Sequence, residues 1–507
     1  MIQIPPHPPL LKWGISNPLT GTPPFVKGEG AQGDFEEHIK VMKIAIIGGG
    51  ISALACAVNL KEKGLDFTVF EKENSAGGKL FTEKIGGLTV EGGPDSYLPE
   101  KFWSVQLIKK VGLAEEMLCS NDEFKGTFIY SGGRLHPLPE GVMFMVPTMI
   151  LPLAMSGLIS WPGKMRMGME LFVPPRKDHK DESLAEFVTR RLGKECLEKI
   201  AEPLVAGIHT SNPDNMSVLA TFPRFIDMER NAGSLIKGMI DAMKKMPPQN
   251  PSGPKTTYFM SLKEGMEELV RGCVSYIGEE RVRTCTAVVS VVKQDTGYRI
   301  TFGDGATADF DAVVLATPSY VARDILKSAD EKLCRRLSAI EWSSSATVSI
   351  AFRKDDVKKP LPGFGFIVPR VEGRRINACT WSSVKWSHRA PEDTVLLRSF
   401  VGGGHHEELV SFGDSELLST ILEELEEIIG IKAEPVFFKV YRWLRGMPKY
   451  TVGHLERLAA IDEKLKEHKG LFLIGCSYRG IGIGDCVKSG FDAAEAIEAM
   501  LAHQAGQ

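Results

Sequence analysis

Two glycine clusters, more than 400 residues apart, are where this chain could do chemistry. The first reads Gly48-Gly49-Gly50-Ile51-Ser52-Ala53, a G-x-G-x-x-A pattern. Its first glycine allows a tight turn, its second lets backbone approach a pyrophosphate, and the small Ala53 lets a helix lie against a strand. Glu71 follows Gly50 by 21 residues, suited to accept hydrogen bonds from ribose hydroxyls. An acid there favours a free 2′-hydroxyl, hence NAD or FAD over NADP. Ser75-Ala76-Gly77-Gly78-Lys79 would bring a second bare backbone near the same phosphates, with Lys79 offsetting charge. Gly92-Gly93-Pro94-Asp95-Ser96 offers a rigid surface, poor in side chains, against which a planar ring can lie.

The second cluster runs from Gly475 to Asp485 and carries four glycines just ahead of an apolar helix. Free amides at the positive end of a helix dipole suit the negative charge that reduced flavin carries around N1 and the C2 carbonyl. A nicotinamide enzyme has no need of such a device, so FAD is the expected cofactor. Asp485 reads as an N-cap.

The surrounding pattern supplies elements to hold both clusters. Lys43–Ile47 and Asp66–Phe70 read as buried strands flanking a helix over Ser52–Lys63. Leu471–Ile474 is a further strand, and Val487–Leu501 a helix after the second loop. Phe128–Leu138 predicts a hairpin turning at Ser131-Gly132-Gly133, and Asp181-Glu182-Ser183 predicts a helix start at Leu184. Residues 142–246 read as mainly helical. Strand character returns over 287–315, then over 346–352, 365–368 and 395–401.

A chain of 507 residues exceeds one compact core. The expected class is α/β with an α+β substrate lobe: a Rossmann-type FAD-binding domain assembled from separated segments, a β-rich substrate domain and a helical lobe. The FAD domain is expected to comprise 42–100, 255–330 and 436–502. The substrate domain would take 101–135 and 331–435, and the helical lobe 136–254. Residues 1–41, with seven prolines and no hydrophobic period, are expected to be a disordered or spurious extension ahead of a start at Met42.

A net charge of −3 argues against a nucleic-acid partner. Nine cysteines without a C-x-x-C pair suggest neither zinc nor a disulfide framework, which fits a cytoplasmic protein. Val142–Trp161 has no charge and is long enough to span a bilayer, yet Pro147 and Pro152 interrupt it. A buried or interfacial segment is therefore expected in place of a span.

The segments GGGISA, SAGGK, EGGPDSYL, VVLATPS, PGFGFIVP, RWLRGMPKYTVGH and GCSYRGIGIGDCVKSG occur in this order. With them, everything from Met42 onward resembles the bacterial protoporphyrinogen oxidase and coproporphyrinogen III oxidase family, within the flavin amine oxidase superfamily. The resemblance implies FAD contacts at Gly48 to Ala53, Glu71 with Lys72, Lys79, and Gly93, Pro94, Asp95 and Ser96. It adds Val288 on the adenine side, Trp443 on the flavin side, and Ile481, Gly482 and Ile483 in the terminal loop. Ile367 and Phe400 would pack on the tetrapyrrole, and Lys101 would meet a propionate, a slight lean towards coproporphyrinogen III.

The implied reaction takes a porphyrinogen, coproporphyrinogen III or protoporphyrinogen IX, to the porphyrin of heme biosynthesis in three hydride transfers, with oxygen as acceptor. The cofactor carries the chemistry, so no catalytic side chain is nominated. A ferrochelatase-type enzyme is the expected protein partner, and the helical lobe an expected peripheral contact with the inner face of the membrane. Gly484 replaces a common proline, which predicts a looser loop. His405 reads as solvated, and Arg442 and Arg445 as surface charge. Two rival readings remain. One is an amine oxidase or carotenoid desaturase, although Tyr478 stands alone where an amine enzyme would carry an aromatic cage. The other is a non-catalytic flavoprotein that binds porphyrin.

Overall fold

The computed structural model describes residues 42–505, apart from 122, 124, 125, 144, 179, 210 and 246–256. The expected extension over 1–41 lies outside the described residues.

Lys43–Ile47 (β1) and Asp66–Phe70 (β2) form parallel neighbours joined by a helix over Ile51–Glu62 (α1). Three short strands complete a five-stranded parallel sheet: Val282–Arg283 (β3), Ala312–Leu315 (β4) and Leu471–Leu473 (β5). The order is β3-β2-β1-β4-β5, so pieces from both ends of the chain share one sheet. The run Ile44, Ala45, Ile46, Ile47 is buried because both faces are covered, as parallel strands require.

One cover is α1 itself, whose residues from Ser52 to Leu60 are all buried. It is sandwiched between the sheet and the last helix, Ile483–Ala505 (α2). The two helices cross so closely that a Cβ on Gly490 would stand 2.3 Å from the Ser52 carbonyl oxygen. Glycine is the one residue that fits there. The other face carries a three-stranded antiparallel meander, Val288–Lys293, Tyr298–Phe302 and Thr307–Phe310.

A seven-stranded sheet makes the second body. In spatial order its strands are Phe437–Pro448, Trp342–Arg353, Thr394–Gly402, Ala378–Thr380, Gly365–Ile367, Phe128–Ser131 and Arg134–Pro137. Alternation sorts the faces. Ala346, Val348, Ile350, Leu397 and Val401 pack with Leu417, Ile421 and Leu425 of the helix Asp414–Ile429. Thr347, Arg398, Phe400 and Tyr441 belong to the opposite face. The strand Phe437–Pro448 pairs along Trp342–Arg353, so this sheet reaches Pro448, past the boundary expected at 436.

The third body is helical. Its helix Leu184–Arg191 begins with a complete capping box between Ser183 and Glu186. Arg191, fully buried, pairs with Glu170, which also accepts the Leu235 amide at 2.8 Å. The uncharged stretch after Val142 folds as a two-residue hairpin and a short helix, Ile150–Met155. No helix among the described residues is long and apolar enough to cross a membrane.

Candidate active site

The G-x-G-x-x-A loop leaves the end of β1 with Gly48 at φ +99°, a left-handed turn in which a Cβ would press on the Ala316 carbonyl at 3.0 Å. The Gly49 amide donates to the buried Glu71 carboxylate at 2.6 Å, and the Glu73 amide donates to its other oxygen at 2.9 Å. Gly49 also accepts the Gly77 amide at 2.8 Å, which brings the second glycine run against the first. In front of Gly50 nothing lies within 4 Å of where a Cβ would be. The first turn of α1 carries neither a side-chain cap nor an acidic residue. An open, uncapped helix start beside a fixed carboxylate fits the phosphate and ribose of a dinucleotide. Val288 begins the meander beside this site, where the Thr286 amide donates to the Glu71 carbonyl at 2.8 Å. Lys72 is exposed and pairs with Glu73.

The second half of the site assembles around Gly92–Ser96. A Cβ on Gly93 would fall 1.7 Å from the Lys79 carbonyl oxygen, so the two segments touch through bare backbone. The Trp443 indole donates to the Gly92 carbonyl at 2.8 Å, and Arg398 donates to the Gly93 carbonyl at 2.6 Å. Asp95 accepts from Ser96 at 2.7 Å and from Lys385 and Trp386 at 3.2 Å each. Burial alone would raise its carboxyl, but Lys385 and Arg398 outweigh that and hold it below the usual carboxylate range. Asp95 is thus a charged anchor for the loop. Pro94, between these two contacts, is exposed.

Lys79 reaches the Gly446 carbonyl and lies 3.9 Å from the Cys476 sulfur, with Trp342 beneath it at 5.5 Å. Its ammonium therefore ties the Trp443 strand to the terminal glycine loop, a different task from the phosphate contact expected of it. Gly446 sits in an irregular stretch of that strand, where Arg445 adopts φ +47°.

Two residues that sequence reasoning left aside or undecided hold the terminal loop. The Tyr450 hydroxyl donates to the Cys476 carbonyl at 2.7 Å and accepts the Gly480 amide at 2.8 Å. His454, fully buried, stacks on Tyr450 at 4.0 Å and bonds the Tyr478 carbonyl at 2.8 Å. Burial pushes its imidazole down to about 4, so it is neutral at ordinary pH. Tyr478 itself is buried in the core beneath the five-stranded sheet and contributes no aromatic cage. Asp485 lies inside the first turn of α2 and its side chain accepts the Gly482 amide at 3.3 Å, capping backwards from within the helix. Gly484 is not loose: a Cβ there would meet the Lys101 Cβ at 2.6 Å. Ile481 and Ile483 flank these glycines.

Lys101, expected to meet a propionate, forms an ion pair with Asp485. Ile367 and Phe400 do come together. Register places Ile367 opposite Ala378, Ala378 opposite Phe400, Phe400 opposite Thr347 and Thr347 opposite Tyr441, one row across the sheet. From Thr347 to Ile367 that row carries no titratable group. The Arg398 guanidinium lies 5.1 Å from the Phe400 ring and joins this wall to the Gly93 carbonyl. Outside the row, His405 pairs with the buried Glu202 at 2.8 Å and is not solvated. Arg442 binds Asp414 and the Val410 carbonyl, and Arg445 lies over Tyr320.

Comparisons with known proteins place the chain among its relatives. The chain is 34% identical to the coproporphyrinogen III oxidase of Bacillus subtilis (strain 168), across 88% of this chain and 96% of that protein. It is 33% identical to that of Staphylococcus aureus (strain NCTC 8325 / PS 47), across 90% and 99%. A solved structure from Exiguobacterium sp. 255-15, which carries a provisional protoporphyrinogen oxidase name, matches with a TM-score of 0.79 at 33% identity, covering 90% of this chain and 99% of that one. A family model described as flavin containing amine oxidoreductase matches residues 51–498, and the chain belongs to that family.

Proposed function

We propose that this protein is an FAD-dependent porphyrinogen oxidase of heme biosynthesis, acting on coproporphyrinogen III in preference to protoporphyrinogen IX. FAD would be held by Gly48 to Ala53, Glu71, Lys72, Gly78, Gly93 to Ser96, Val288, Trp443 and Ile481 to Ile483. When bound, it supplies two-electron oxidation, and three rounds make a porphyrinogen aromatic, with oxygen as the final acceptor. The observation that carries the substrate reading is the row Thr347–Phe400–Ala378–Ile367, joined through Arg398 to the ring-facing loop. Such a wall packs a large apolar macrocycle and excludes water without offering it an acid or base. Preference between the two porphyrinogens rests on the relatives' names, since Lys101 is engaged by Asp485.

Anaerobic mixing of the FAD-loaded protein with each porphyrinogen tests this. Flavin absorbance should bleach with both, faster with coproporphyrinogen III. No bleaching with either sinks the oxidase reading.

A second reading concerns location. Ile150, Leu151, Met155, Trp161, Met165 and Phe172 are exposed on the helical body, and the Lys164 ammonium lies 4.5 Å from the Trp161 ring. An apolar strip with a cation beside its tryptophan favours a peripheral seat at the inner face of the membrane, close to a ferrochelatase-type partner. Co-sedimentation with anionic vesicles should be lost on Trp161→Glu with Phe172→Glu. Equal sedimentation of variant and parent refutes it.

A further inference from the structure

Lys101 and Asp485, 384 residues apart, meet at the first turn of α2. The Asp485 carboxylate is mostly buried and takes the Gly482 amide as well as the lysine. Three glycines close around the pair. A Cβ on Gly480 would stand 2.4 Å from the Asp485 Cβ, and one on Gly484 would stand 2.6 Å from the Lys101 Cβ. At Gly482 it would lie 3.2 Å from the Asp485 carboxylate and 3.7 Å from the Lys101 ammonium. Two opposite charges are therefore fixed inside the loop that the reading above sets against the flavin.

The start of a 23-residue helix favours negative charge, and Asp485 already uses part of that field. Left alone, its carboxylate would oppose the arrival of electrons on a neighbouring ring. Lys101 cancels the carboxylate while leaving the helix amides in place. We infer that the Lys101–Asp485 pair sets the reduction potential of the flavin, with Lys101 keeping it high by neutralising Asp485. The inference rests on the FAD reading above. It makes Lys101 a positioning and electrostatic residue instead of a receptor for a substrate carboxylate.

The test is the midpoint potential of the FAD-loaded protein, measured by anaerobic equilibration with a reference dye, for Lys101→Met, Asp485→Asn and the double variant. Lys101→Met should shift the oxidised-to-reduced ratio at least tenfold towards oxidised flavin, about 30 mV for a two-electron couple. Asp485→Asn should shift it the other way, and the double variant should return close to the parent. A Lys101→Met ratio that is unchanged or moves towards reduced flavin overturns the inference, as does a double variant displaced as far as Lys101→Met. Should Lys101→Met fail to retain flavin, Asp485→Asn carries the test alone, and an unchanged or lowered potential overturns it. Failure of the parent protein to bind FAD would instead sink the cofactor reading, so the two failures are distinct.

Discussion

The Gly480 amide and the Tyr450 hydroxyl meet at 2.8 Å, and the same hydroxyl donates to the Cys476 carbonyl. One oxygen thereby holds both ends of the loop that precedes α2. Tyr450→Phe removes both bonds and leaves two backbone groups unpaired, at about 1–3 kcal/mol. FAD affinity should fall about tenfold or more, read by titrating apoprotein with FAD, and hydrogen exchange at Gly480 should speed up.

His454 gives stability a pH dependence of predictable sign. Its folded pKa of about 4 lies below the ordinary 6.5, so the unfolded chain takes up a proton first as pH falls. Stability from this residue is full above about 6.5 and is lost down to about 4, on the order of 3 kcal/mol in all. Urea unfolding at a series of pH values should show the slope, and His454→Gln should flatten it.

Glu71→Gln keeps the shape of the side chain but removes the charge that binds the Gly49 and Glu73 amides. Charge-assisted bonds of this kind contribute about 1.5–3 kcal/mol each. FAD should bind about 10–100-fold more weakly by calorimetry, while the far-ultraviolet spectrum stays unchanged.

Gly490→Ala sets two effects against each other. Alanine favours the helix by up to about 1 kcal/mol, but its Cβ would stand 2.3 Å from the Ser52 carbonyl. Forcing the helices apart costs about 1–3 kcal/mol, so net destabilisation is expected in thermal unfolding. A raised melting temperature would contradict the close crossing.

Phe400→Ala and Ile367→Ala should each raise KM for the porphyrinogen about tenfold, the scale of one buried apolar side chain. Both border Ala378, so the double variant should depart from the product of the singles. Steady-state kinetics on all three proteins checks this.

Much of the cofactor site was legible because its requirements are local. A left-handed turn at Gly48, an open approach at Gly50 and an acid after the next strand all leave marks at fixed spacing. The row that unites Ile367 and Phe400 follows from strand register, which resemblance supplied and periodicity did not. The Lys101–Asp485 pair was not legible because its partners lie 384 residues apart, and an ion pair across that distance leaves no periodic trace. Tyr450 left no mark either, because its partners are backbone groups of a loop, which carry no residue type to read. The boundary at 436 failed because a strand beginning at Phe437 reads alike whichever sheet receives it. Lys79 shows the same ambiguity: its type suggested a phosphate, while its neighbours on the folded chain are a carbonyl and a thiol.

The sheet order β3-β2-β1-β4-β5 also has a consequence for biosynthesis. During translation β1, α1 and β2 emerge early, but β5 and the helix that covers α1 come last. At roughly 5–20 residues per second, the first strands wait roughly 20–90 s for these partners. Over that interval the face of α1 that packs on the last helix stays uncovered. A nascent chain stalled before Leu471 should therefore hold chaperone and no cofactor, and flavin loading should begin only once β5 and α2 have emerged.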